Sequence, residues 1–197
     1  MDVRPSADYT PMCYHDPLLN RLTSESGLVY ERAASDLQRI KISNGEPIPT
    51  LADLFAMWPH NLPILIEMKM DWLTHTARFV EEVARQVSAF PGKCAMMSFS
   101  EEAVNLIPKG IMRGQLIKPS FLKNEVRFQH RYARTLKKDI DYLALHVSDA
   151  ETSVGAHLPT VNWTVRTDDQ RRLVRDCGHA EIFEHLPNPL AASLDLN

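Results

Sequence analysis

The chain has 197 residues, of which 44% are hydrophobic and 24% charged, enough for one soluble globular domain with a real core. A formal net charge of -3 offers no basic surface for a nucleic-acid backbone, which argues against nucleic acid as a partner. No apolar run approaches the roughly 20 residues of a membrane span, and no charged-then-apolar leader opens the chain. Cys13, Cys94 and Cys177 are odd in number, widely spaced and without CxxC spacing. They are expected to be buried free thiols in a reducing, cytoplasmic compartment rather than a thiolate metal site.

The chain begins with "MDVRP" and the apolar "MCY", which delivers His15 and Asp16. The stretch from Asn44 to Pro49 is the most turn-like. In "IPTLADLFAMW", Thr50 followed three residues later by Asp53 predicts a capped helix start. "LPILIEMKMD" reads as a buried strand that ends in Glu67 and Lys69; side chains two apart on a strand share a face, so this pair projects together from one end. Helical spacing of Trp72, Ala77, Phe79, Val80, Val83, Ala84 and Val87 predicts a helix that stops at Pro91-Gly92. Then follow strand "KCAMMSFS", helix "EEAVNLIP", strand "GIMRGQLI", helix "NEVRFQHRYARTLKKD", strands "DYLALHV" and "TVNWTV", helix "DDQRRLVRDCG" and strand "AEIFEHL".

This alternation predicts parallel strands with helical crossovers, in a doubly wound sheet or a (β/α) barrel. Polar residues close several strands: Glu67 and Lys69, Ser98, His146, and Trp163-Thr164. In a barrel all these ends converge on one mouth, and the barrel is therefore the expected architecture. A single domain spans 1–197, since no composition shift marks a second.

Four ordered segments resemble the glycerophosphodiester phosphodiesterases. "HDPLLNRLTSESG" is similar to that family's HD-x-x-L-x-R-x-T-x-x-x-G signature, "IPTLADLF" to the segment after it, "ILIEMK" to its E-x-K strand and "VNWTVRTDDQ" to its late W-T-V strand. The resemblance, from Met1 to about Leu186, implies an α/β fold, a (β/α)8 TIM-type barrel with a small insertion at about 8–47 after the second strand. It also implies that the first strand and helix, with a histidine-arginine pair and a glutamate, precede residue 1. The "SDAETSVGAHLP" segment is barely long enough for a parallel crossover, so its helix is expected to be shortened or lost.

By the same resemblance, Asp2 and Glu67 bind a divalent cation, Mg2+ or Ca2+, for which carboxylate oxygens are suited. Lys69 holds a phosphate oxygen as a point charge. His15 is the general acid that protonates the leaving oxygen, and Trp163 lines the substrate pocket. The implied reaction is metal-dependent hydrolysis of a small-molecule glycerophosphodiester to glycerol 3-phosphate and an alcohol. Each residue also has an ordinary reading: Glu67 and Lys69 as a surface ion pair, His15 as a loop histidine, Trp163 as a core aromatic, and His146 as a satisfied core histidine. The rival function is a catalytically silent barrel that binds phosphate esters or a partner protein. Its open strand edges would drive it into a homo-oligomer.

Overall fold

From Leu51 onward helix and strand alternate in the order that the hydrophobic pattern predicts, whereas residues 2–13 form two strands with no helix between them. The computed structural model describes residues 1–70, 75–120 and 125–187, and the chain divides into two compact units, Met1–Gln115 and Leu116–Asn197.

In the first unit, β1 (Asp2–Pro5) and β2 (Pro11–Cys13) form an antiparallel hairpin. After β2 come two single turns of 3-10 helix, Leu19–Arg21 and Val29–Glu31, and a short helix α1 (Ala34–Leu37). Helix α2 (Leu51–Met57) leads to β3 (Ile64–Met68), α3 (Thr76–Ala89) to β4 (Cys94–Ser98), and α4 (Glu101–Leu106) to β5 (Met112–Ile117), the strand within which the first unit ends. Strands β1, β3, β4 and β5 pair in parallel in that order.

Local chemistry fixes these elements. Thr50 and Asp53 form the expected capping box: the Thr50 hydroxyl accepts from the Asp53 N–H at 3.1 Å, and the Asp53 carboxylate accepts from the Thr50 N–H at 2.9 Å. Helix α3 buries Phe79, Val80, Val83, Ala84 and Val87 in a core shared with Val3, Leu54, Ile64, Ile66 and Met96. It stops at Ala89, as a proline two residues on requires. A side chain on Gly92 would meet the His60 carbonyl at 2.9 Å and the Phe90 ring, so only glycine fits there. Trp72, expected on this helix, lies outside the described residues. From β2 to the start of α2 the chain builds an apolar cluster from Met12, Tyr14, Leu19, Val29, Leu37, Ile40 and Ile48.

The second unit contains α5 (Glu125–Thr135), β6 (Tyr142–His146), β7 (Thr160–Val165), α6 (Asp168–Asp176) and β8 (Ala180–Phe183). Strands β6, β7 and β8 pair in parallel. The β6–β7 crossover carries a 3-10 helix, Val147–Ser153, in place of an α-helix, as its short length predicts. Val147, Val165 and Val174 form an apolar cluster with Phe183 and Leu186 against it. The guanidinium of Arg171 pairs with Glu181 at 2.9 Å and lies over the Phe183 ring.

All three cysteines are free, but each is half-buried rather than fully buried. Burial pushes the Cys13 thiol up to about 12. Among the described residues no helix is long and apolar enough to cross a membrane.

Candidate functional site

The exit of β3 carries two charges on one face because the strand period is two. Lys69 Nζ lies 2.6 Å from Glu67 Oε1. The parallel register sets Asp2 opposite Glu67, held by Glu67 N–H to the Met1 carbonyl at 2.8 Å and Lys69 N–H to the Val3 carbonyl at 3.0 Å. Asp2 Oδ1 thereby comes within 3.3 Å of Lys69 Nζ. The ammonium thus joins two carboxylates from neighbouring strands: Glu67 and Lys69 project together, as the two-residue spacing predicts, and Asp2 meets them from β1.

The side chains of Glu67 and Lys69 are 11% and 15% exposed, that of Asp2 33%, so Glu67 is the one most withdrawn from water. Burial pushes its carboxyl up from the ordinary value, and the neighbouring Asp2 charge adds to this, while Lys69 acts in the opposite direction.

His15 stands two residues beyond β2. Since β2 runs antiparallel to β1 with Cys13 opposite Val3, the chain after Cys13 heads toward the end of β1 where Asp2 stands. Its imidazole is exposed, and Nδ1 lies 2.7 Å from Asp16 Oδ1. Arg21 donates to the same carboxylate, Nε to Oδ2 at 2.5 Å and Nη2 to Oδ1 at 2.9 Å. These two hydrogen bonds, then the one from His15, hold the Asp16 carboxyl well below the usual carboxylate range against the opposing effect of burial. Buried Arg4 donates from Nε to the His15 carbonyl at 2.8 Å.

Contacts therefore unite Asp2, Glu67 and Lys69, and His15 pairs with Asp16 on the adjoining segment. Trp163 lies on β7 in the second unit, half-buried, opposite His146 in the strand register. The two rings meet edge to face with centroids 5.1 Å apart. His146 is satisfied locally, its Nδ1 accepting from the Ser148 N–H at 3.1 Å. Burial first, and then the Arg166 charge, depress its pKa, with Asp149 opposing.

Ser98 is fully buried and braces the strand ends: its hydroxyl donates to the Met68 carbonyl at 2.8 Å and accepts from the Ser100 N–H at 3.1 Å. Sequence reasoning assigned nothing to Asp16, Arg21 or Arg4. The first two were visible as letters of the HD-x-x-L-x-R signature. Arg4 left no signal beyond a cation inside an apolar strand.

Among the described residues no group of three or more His, Cys, Asp or Glu side chains is arranged to hold a metal ion. Asp2 and Glu67 supply two hard oxygen donors. Such donors are of the kind that Mg2+ and Ca2+ both take.

Residues 1–106 match the family model described as "Glycerophosphoryl diester phosphodiesterase family". Among solved structures the chain resembles an Oleispira antarctica phosphodiesterase in complex with the product sn-glycerol-3-phosphate, with 19% identity and a TM-score of 0.78 over 98% of this chain and 83% of that one. It also resembles a glycerophosphoryl diester phosphodiesterase, so described by similarity, from Agrobacterium tumefaciens, with 21% identity and a TM-score of 0.78 over 98% and 83%. For the glycerophosphodiester phosphodiesterase of Thermotoga maritima the identity is 19% and the TM-score 0.72 over 100% and 83%. No curated protein matches the chain. At such identities the likeness establishes the fold, and it bears out the expected α/β class and TIM-type barrel lineage.

Proposed function

The chain belongs to the glycerophosphoryl diester phosphodiesterase family, and from that premise we propose that it hydrolyses glycerophosphodiesters to glycerol 3-phosphate and an alcohol. The observation that supports this reading is the Asp2–Glu67–Lys69 cluster, in which two carboxylates and one ammonium from adjacent parallel strands stand at one level.

Asp2 and Glu67 would hold a Mg2+ ion, which when bound neutralises charge on phosphoryl oxygens as a Lewis acid. Lys69 exchanges a carboxylate partner for a phosphate oxygen, binding it as a point charge. Water oxygen forms the new bond to phosphorus as the bond from phosphorus to the leaving oxygen breaks. That oxygen takes the proton carried by His15 Nε2, and the proton released by water passes to solvent and restores the acid. Three free cysteines fit work in a reducing compartment such as the cytoplasm.

The test is hydrolysis of glycerophosphocholine with Mg2+, beside His15→Ala and Glu67→Ala. Turnover lost in both variants supports the reading. Turnover that is equal in all three proteins overturns it, and retained glycerol 3-phosphate binding without turnover supports the silent, phosphate-ester-binding barrel instead.

A further inference from the structure

A neutral imidazole offers one donor nitrogen and one acceptor nitrogen, and which is which decides the chemistry it can perform. In this chain the choice is written into the contacts of Asp16. Its carboxylate is an acceptor, held ionised by the two-pronged grip of Arg21. An ionised carboxylate 2.7 Å from His15 Nδ1 favours a proton on that nitrogen, which leaves Nε2 as the working atom.

The clamp is built rather than incidental. Arg21 closes a 3-10 turn whose first residue, Leu19, is fully buried. The Leu19 carbonyl accepts from the hydroxyls of Tyr14 at 3.2 Å and Thr23 at 2.9 Å, and its N–H donates to the Gly27 carbonyl at 3.0 Å. Arg4 fixes the His15 backbone from the other side. The imidazole itself is 59% exposed while Asp16 is only 18% exposed, so the ring has water around it and an anchored carboxylate at one edge.

We propose that Asp16, clamped by Arg21, is the positioning residue of His15: it sets the Nδ1–H tautomer and aims Nε2 at the leaving oxygen. This rests on the proposed reaction for its purpose, although the tautomer is a property of the free protein. In the proton transfer the imidazolium, protonated on both nitrogens, gives its Nε2 proton to the leaving oxygen and returns to the neutral Nδ1–H tautomer bonded to Asp16, while the carboxylate remains ionised throughout, as the orienting acid does in other histidine-centred sites.

The experiment is nitrogen-15 NMR of the histidine side chains in the whole protein without substrate, at a pH where the rings are neutral, with His15→Gln to identify the signal. Wild-type protein should show His15 with hydrogen on Nδ1. Asp16→Asn and Arg21→Met should each shift the tautomer ratio toward Nε2–H by about tenfold, and Arg21→Lys should restore most of it. A wild-type ring protonated on Nε2, or a ratio unmoved by both Asp16→Asn and Arg21→Met, overturns the proposal. Turnover supplies a second reading: Asp16→Asn should lower kcat by about 100-fold or more with KM changed much less. Absence of turnover in the wild type would count against the proposed reaction alone, because the tautomer is read without substrate.

Discussion

At the exit of β3, Glu67 and Lys69 pair head to head, carboxylate oxygen to ammonium nitrogen at 2.6 Å, although only one residue separates them in the chain. Both side chains are largely withdrawn from water, so the pair is not the solvated surface bridge that contributes little. Its energetics belong to the buried class, in which removing one partner strands the other.

Glu67→Gln and Lys69→Met should therefore behave differently. Without Lys69, the Glu67 carboxylate faces Asp2 with no counter-charge, and urea unfolding should report a loss of about 3 kcal/mol. Glu67→Gln leaves Lys69 with Asp2 and should unfold much closer to the wild type. In assays of glycerophosphocholine hydrolysis both should lose at least about 100-fold in kcat/KM, with titration calorimetry showing weaker Mg2+ binding for Glu67→Gln. Equal stability of the two variants would contradict the burial argument.

Ser98 sits at a strand end, where a serine invites a catalytic reading, yet its hydroxyl is committed to the Met68 carbonyl and the Ser100 N–H. Ser98→Ala leaves a buried acceptor and a donor unmet and should reduce stability by about 1–3 kcal/mol. Activity per folded molecule should stay within a few-fold of the wild type. A collapse of kcat in a variant whose unfolding midpoint is unchanged would return Ser98 to the chemistry.

The Asp53 carboxyl is held below its ordinary 3.8 by hydrogen bonds from the Thr50 hydroxyl and N–H, with Gln38 contributing and burial opposing. As pH falls, the unfolded chain takes up this proton first, so the folded state loses ground. The stabilisation is fully present above about pH 3.8 and disappears as pH drops through the folded-state value. Asp53→Ala should cost about 1 kcal/mol at neutral pH, and urea curves for variant and wild type should converge in acid. Curves that keep a constant separation down to pH about 2 would mean that the hydrogen bonds of the ionised Asp53 carboxylate do not carry the cost.

In the second unit, Arg171 and Glu181 are 10% and 14% exposed and 2.9 Å apart. Glu181→Ala strands the guanidinium and should destabilise this unit by about 3–5 kcal/mol. The double replacement Arg171→Met with Glu181→Leu should recover most of that loss, since an apolar pair of similar volume often matches a buried ion pair. Hydrogen exchange at the β7 and β8 amides is the measurement. Protection in the double variant no better than in Glu181→Ala would mean that the Pro187 carbonyl contact of Arg171 and its packing on Phe183 carry the stability.

What the sequence by itself determined is short-range. Alternating hydrophobic periods announced the β/α order, the three-residue Thr50–Asp53 spacing announced a capped helix, and the two-residue Glu67–Lys69 spacing announced a shared face. Each is a property of a repeating backbone, written within a few residues of itself. The family signature added His15 and Asp2, but as letters in a pattern without contacts. Only the tertiary structure decided that Asp2 stands beside Glu67, 65 positions away, because that depends on which strands are neighbours and in what register. It decided that Arg21 folds back on Asp16 and that Arg4 reaches the His15 carbonyl, since a turn and a hairpin bring those groups together. It also left the three cysteines half-buried, because burial is set by what packs over a side chain and not by its own apolarity.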